Sequence, residues 1–299
     1  MTSVLSRRRF LQATGAAAAG STLLNSPSHA TSVAAGSRPP RLFSGICAYS
    51  YEKYLTSGKM TMEDFFLKAV DMGVHGVDVT TYYLKSTDPA YLISLRRLAF
   101  RHGLMFSGAA IGSQMCQSDP AKREDEVAKI KKWVDATEWL GASHLRVFGG
   151  EVPHGATDAQ GVEWTAETMK PACEYAAQKG VTLGIESHGG ITSKAANIIA
   201  ILKHVDSPFA GCNLDISNWM EDPYNQTEAL IPYATHTHIR DHWGHPIQPL
   251  DLDRIWPMFA KGGYQGFMSV EYESEEDAMT GVPKLVAKVK ALCKKYSSV

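Results

Sequence analysis

Four short runs in the C-terminal half of the sequence each end on a side chain able to grip a cation. They are Leu183-Gly184-Ile185-Glu186-Ser187-His188, Asn213-Leu214-Asp215, His236-Thr237-His238-Ile239-Arg240-Asp241 and Ser269-Val270-Glu271-Tyr272-Glu273. If the apolar part of each run is a strand and the strands converge, Glu186, Asp215, His238 and Glu271 meet. Two glutamates, an aspartate and a histidine gathered away from water carry charge that a divalent cation offsets. An oxygen-rich donor set with one imidazole suits one divalent ion of manganese, magnesium, cobalt or zinc better than a thiolate-loving metal. His236 lies two residues before His238 and so faces the same side of a strand, which reads as one ligand and one residue lining the interior or touching substrate. Arg146, just before Phe148-Gly149-Gly150, is a substrate contact or, the reading favoured here, the partner of a buried carboxylate.

Converging strands require a particular fold, and the rest of the chain supplies its pattern. Apolar, β-rich runs occur at Ser44 to Tyr51, Gly76 to Tyr83, Leu104 to Ile111, His144 to Phe148, Val181 to Ser187, Gly211 to Ile216, Thr235 to Arg240 and Phe267 to Tyr272. Between them lie amphipathic segments, including Met62 to Met72, Ala90 to His102, Ala121 to Leu140, Val162 to Lys179, Ser193 to His204 and Leu252 to Lys261. Their apolar residues recur at helical spacing. A last helix is expected over Pro283 to Tyr296, with proline at its first position. Gly103, Gly141 and Gly180 each stand where a helix must stop before a strand. Eight such repeats point to an α/β fold, a single (β/α)₈ TIM barrel, whose chemistry sits at the C-terminal strand ends. A doubly wound open sheet is the main alternative, but no glycine-rich phosphate loop follows the first run.

Composition narrows the function. The chain has 299 residues, 44% hydrophobic and 20% charged, with a formal net charge of −1, so no field gathers nucleic acid or anionic lipid. Five scattered cysteines, without CxxC spacing, read as buried small hydrophobes rather than a disulfide framework or structural zinc site. Of the aromatic residues, Tyr82 and Tyr83 can floor a sugar site, with one of them packing. Trp219, Trp243 and Trp256 suit sugar stacking and core packing equally.

The first thirty residues read as a leader. Ser6-Arg7-Arg8-Arg9-Phe10-Leu11 resembles a twin-arginine export signal, followed by an alanine-rich apolar stretch and a small-x-small site at Ser28-His29-Ala30. Residues 1–30 are therefore expected to be removed by the export machinery, leaving a mildly acidic periplasmic or otherwise exported protein with no membrane span. Residues 31–41, with Pro39-Pro40, form a linker, and residues 42–299 form the barrel.

The runs from strand five onward resemble the xylose-isomerase-like, sugar phosphate isomerase and epimerase superfamily. Its members carry an IExH-type strand five, an NLD strand six, an H-hydrophobic-[KR]-D strand seven and a strand-eight glutamate. Gly73-Val74-His75-Gly76-Val77-Asp78 matches a further segment of the family type. The resemblance implies that Glu186, Asp215, His238 and Glu271 hold the metal. It implies that Glu186 and Glu271 also exchange protons with a carbohydrate through an enediolate, as in an isomerase or epimerase. His188, Asn218, Arg146 and His236 are the candidate substrate contacts. Epimerases of this superfamily usually have a histidine three residues after the strand-six aspartate, where this chain has Asn218; the arginine that commonly follows their strand-seven motif is also missing. An elimination or hydration of a 3-keto-glycoside, or a catalytically silent carbohydrate-binding barrel, is thus the alternative reading. A DNA-repair endonuclease of the same barrel type would need more histidines and acids, for two further zinc ions, and an Asp-x-x-His pairing at Asp215. Export, together with the lack of an arginine or lysine cluster at a helix-start glycine loop, points to an unphosphorylated small-molecule carbohydrate. A homo-oligomer is compatible with the composition.

Overall fold

The computed structural model describes residues 40–298. The expected leader at residues 1–30 and all but the end of the 31–41 linker lie outside the described residues. Eight parallel strands close into a barrel: β1 (Leu42–Cys47), β2 (Gly76–Thr80), β3 (Met105–Ala110), β4 (His144–Val147), β5 (Thr182–Glu186), β6 (Ala210–Asp215), β7 (Ala234–Ile239) and β8 (Gly266–Val270). Closure is made by β1 against β8, in register from Leu42 opposite Gly266 to Ile46 opposite Val270. Among the described residues, beside a one-turn helix at Glu52–Thr56, eight longer helices follow the strands in turn: α1 (Met62–Asp71), α2 (Pro89–Arg101), α3 (Pro120–Leu140), α4 (Asp158–Lys179), α5 (Ala195–Val205), α6 (Pro223–Leu230), α7 (Leu252–Lys261) and α8 (Ala278–Tyr296). The described residues thus form a single (β/α)₈ barrel. A two-stranded hairpin, His242–Trp243 against Gln248–Pro249, rises between β7 and α7 on the side where the strands end. Among the described residues, no helix is long and apolar enough to cross a membrane.

Local chemistry explains most of these boundaries. Thr61 with Asp64 and Thr157 with Gln160 form capping boxes that satisfy the first free N–H groups of α1 and α4. Gly141 and Gly180 end α3 and α4 with φ of 86° and 67°, a left-handed turn that a side chain would strain. Three expectations shift. The first strand stops at Cys47 rather than Tyr51. Ser50 donates its hydroxyl to the Val270 carbonyl at 3.1 Å and accepts the Tyr272 N–H at 2.9 Å, which bends Ala48–Tyr51 into a 3₁₀ turn over the end of β8. Helix α6 escapes the periodicity because its buried face is Pro223, Thr227 and Leu230, only two of them apolar. Pro283 lies inside α8 and not at its start, because Asp277 accepts the Met279 N–H at 2.8 Å and begins the helix five residues earlier.

The barrel interior is strongly polar. Asp78, Ser107, His144, Arg146, Asn213, His236, His238 and Ser269 are all buried. Contacts run across the bore between strands that are not neighbours: His144 of β4 stacks on His236 of β7 at 5.0 Å, and Ser107 of β3 meets Ser269 of β8 at 3.4 Å. Strand glycines make the room. A Cβ on Gly184 would overlap the His144 ring, and one on Gly108 would lie 3.2 Å from both Asp78 Oδ1 and His144 Nδ1. All five cysteines are free and buried, as their scatter suggests.

Candidate functional site

The ends of β5, β6, β7 and β8 bring Glu186, Asp215, His238 and Glu271 together. One donor atom from each lies within 4.8 Å of the others, and all four residues are buried. Such a group could hold a metal ion. Period-two alternation along each strand aims the side chains inward, and the parallel ladder sets their heights, with Asp215 in register with His238 and Ser269 beside it.

The hydrogen bonds around the group orient it. His238 Nε2 lies 2.8 Å from Asp78 Oδ2, which leaves Nδ1 facing Glu271 Oε1 at 3.3 Å and Glu186 Oε2 at 3.6 Å. Asp78 therefore fixes which nitrogen points at the carboxylates. Two arginines counter the acids. Arg146 Nε pairs with Glu186 Oε2 at 2.9 Å, and Asn213 donates to the same oxygen at 3.1 Å. Arg240 bridges Asp215 Oδ2 at 2.6 Å, Glu271 Oε2 at 2.7 Å and Glu273 at 3.2 Å. Each carboxylate thus keeps its other oxygen: Glu186 Oε1, Glu271 Oε1 beside His238 Nδ1, and Asp215 Oδ1, which accepts the Ser217 N–H at 2.8 Å. Three carboxylate oxygens and an imidazole nitrogen are the hard donor set that suits a divalent ion.

The electrostatics follow the partners. Burial raises the Glu186 carboxyl to about 7 against the pull of Arg146. For Glu271 burial is overcome by His238 and Arg240, which hold it well below the usual carboxylate range. Burial opposes charge on Asp78 too, but the His238 hydrogen bond and the neighbouring cationic groups bring it down to about 2.

The residues expected to touch substrate divide. His188 and Asn218 line a cavity of about 370 Å³ beside the acid cluster, together with Ser217, Arg240, Trp243 and Glu273. Asn218 donates to Asp215 Oδ2 at 2.8 Å and to the Ser187 carbonyl at 3.1 Å. Arg146 is the buried partner of Glu186, with its guanidinium 3.9 Å from the Phe148 ring centre. His236 is not among the residues lining that cavity. It lies below the cluster, 1% exposed, with Nδ1 on Asn213 at 2.7 Å and Nε2 on Ser269 at 3.1 Å, so both nitrogens are already engaged. Trp219 and Trp256 are fully buried, and only Trp243 of the three combines partial exposure with a place on the cavity wall. Four neighbours escaped the sequence reading: Asp78 as orienter of His238, Arg240 as a bridge, Asn213 as a donor to Glu186, and Cys47, whose thiol is 3.6 Å from Glu271 Oε1. Arg240 is two residues after His238 in the same run, so period-two alternation places it beside the acids.

A closed parallel barrel with an acid and histidine cluster at the C-terminal ends of its last four strands defines a class of (β/α)₈ proteins built around that mouth. The chain belongs to the xylose isomerase-like TIM barrel family, whose profile matches residues 66–294. Its fold is similar to that of D-allulose 3-epimerase from Methylomonas sp., at 19% identity with a TM-score of 0.67, covering 86% of this chain and 99% of that one. The probable 3-DHS dehydratase AsbF from Bacillus anthracis is similar at 18% identity and a TM-score of 0.66, covering 84% and 98%. So is the 3-keto-D-glucoside 4-epimerase YcjR from E. coli, at 14% identity and a TM-score of 0.65, covering 84% and 99%. No curated protein matches the sequence at significant similarity.

Proposed function

We propose that the protein is a metal-dependent sugar isomerase or epimerase acting on an unphosphorylated carbohydrate through an enediolate. The observation that carries this reading is the buried convergence of Glu186, Asp215, His238 and Glu271 within 4.8 Å. A divalent ion held there would supply Lewis-acid stabilisation of negative charge on adjacent substrate oxygens. Glu186 and Glu271 arrive from β5 and β8, which are separated by β6 and β7 in the barrel order, so the two carboxylates would approach a bound sugar carbon from different sides. One carboxylate removes a proton from that carbon and the other returns one. Asp78, Asn213, Arg146 and Arg240 hold these groups in place, and His188 hydrogen-bonds a substrate oxygen from the cavity wall. The export leader proposed for residues 1–30 fits an unphosphorylated substrate.

Asn218 favours a second reading. Its amide is committed to Asp215 and the Ser187 carbonyl and cannot carry a proton near neutral pH, which suits elimination or hydration of a 3-keto-glycoside better than a reaction needing a third acid or base there.

The test has two parts. Elemental analysis should find one divalent ion per chain, lost in Asp215→Ala, and incubation with unphosphorylated keto-sugars in D₂O should exchange a carbon-bound hydrogen. A folded protein that takes up no metal on reconstitution would overturn the reading. So would a loaded protein that exchanges nothing and neither isomerises nor eliminates.

A further inference from the structure

Of the cavities at the barrel mouth, two lie on opposite sides of the acid cluster. The first, already described, lies at the ends of β5 to β7. The second, of about 570 Å³, lies at the ends of β1 and β2 and is walled by Tyr49, Tyr82, Tyr83, Leu84 and Glu52. In an eight-stranded ring β6 is four strands from β2, so the two cavities face each other across the bore.

Their chemistry differs. The first cavity is polar: Ser217, Asn218, Arg240, His188 and Glu273 stand on its wall, and the Arg240 guanidinium there is paired with three carboxylates. The second is an aromatic shelf. Tyr82 is 50% exposed, its ring meets Tyr83 edge-on at 6.1 Å, and Tyr83 lies 6.5 Å from Tyr49. The Tyr82 phenol borders Arg146, the partner of Glu186, which joins the shelf to the acid cluster. Half-exposed tyrosines with one acceptor carboxylate, Glu52, form the kind of surface on which a sugar ring stacks while its hydroxyls donate outward. No basic side chain is among the described residues lining the shelf, and Arg240 in the opposite cavity already serves three carboxylates, so neither pocket suits a phosphate.

We propose that the site takes a glycoside of at least two rings, with the reacting ring over the acid cluster and the second ring on the Tyr49–Tyr82–Tyr83 shelf. This rests on the proposed function and names its substrate class. The aromatic contact should contribute roughly tenfold in affinity, the scale of one well-placed ring pairing.

The probes are cellobiose, maltose, lactose and sucrose beside glucose, galactose and fructose, titrated calorimetrically into the full chain supplied with Mn²⁺. At least one disaccharide should bind about tenfold more tightly than either of its constituents. Tyr82→Ala should bring that ratio towards one, and Tyr82→Phe, which keeps the ring, should preserve it. Monosaccharides binding as tightly as every disaccharide, no disaccharide binding, or a ratio unmoved in Tyr82→Ala would each overturn the proposal. The two readings fail separately. A ratio that persists in a chain taking up no metal removes the metal-enzyme reading and keeps this one. Metal uptake and proton exchange with a ratio near one removes this one alone.

Discussion

Asp78→Asn is the sharpest perturbation of the proposed metal centre. Asp78 lies on β2, across the bore from the four ligands, yet its Oδ2 sits 2.8 Å from His238 Nε2 with both side chains buried. Asparagine has the same shape and can still accept that hydrogen bond, but it removes the charge that makes the imidazole more basic and fixes its tautomer. A charge-assisted hydrogen bond contributes about 1.5–3 kcal/mol. Loss of an outer partner of a metal-binding histidine typically weakens metal binding about 10- to 100-fold, or about 1.4–2.7 kcal/mol. Competition of Mn²⁺ or Zn²⁺ between the protein and a chromogenic chelator reads this directly, with circular dichroism checking that the variant folds. A folded Asp78→Asn protein that binds metal within twofold of wild type would refute the argument, because the aspartate would then be only a filler of the barrel floor.

Three further outcomes are expected. Glu186→Gln and Glu271→Gln should each lower turnover per bound metal by about 10²- to 10⁴-fold, the usual contribution of a general acid or base, and near wild-type turnover in both would dismiss the two-carboxylate scheme. Gly184→Ala should destabilise the protein by about 1–3 kcal/mol, because its methyl would meet the His144 ring, giving a drop of several degrees in the thermal midpoint. Mass spectrometry of protein from its native host should show a chain beginning near Thr31, and recovery of intact residues 1–30 in a soluble cytoplasmic form would reject the export proposal.

The sequence carried the fold well because every repeat but the sixth announces itself twice, in an apolar run and in the amphipathic helix that follows. It failed where tertiary contacts decide. Ser50 bends the end of β1 through bonds to Val270 and Tyr272, more than 200 residues away, and α6 buries a threonine that no apolar count would select. The four candidate ligands were legible because each follows its own β-rich run, one to a strand end. Their supports were not, because Asp78, Asn213 and Arg240 reach them from other strands or by alternation within a motif already assigned. His236 shows the limit of facing direction alone: it shares a face with His238 but sits one layer lower, where Asn213 and Ser269 take both its nitrogens.

The glycines beneath the cluster have a consequence for how such a protein can change over generations. Gly184 and Gly108 are the mould into which the His144 ring is cast, so neither side of that fit can alter alone without a clash or a void. Divergence on the barrel floor must therefore proceed by coupled pairs, a rare event, whereas Tyr82 and the hairpin carrying Trp243 stand apart from it and can vary singly. A lineage built on this chain would be expected to exchange substrates at the rim many times while its floor stays still.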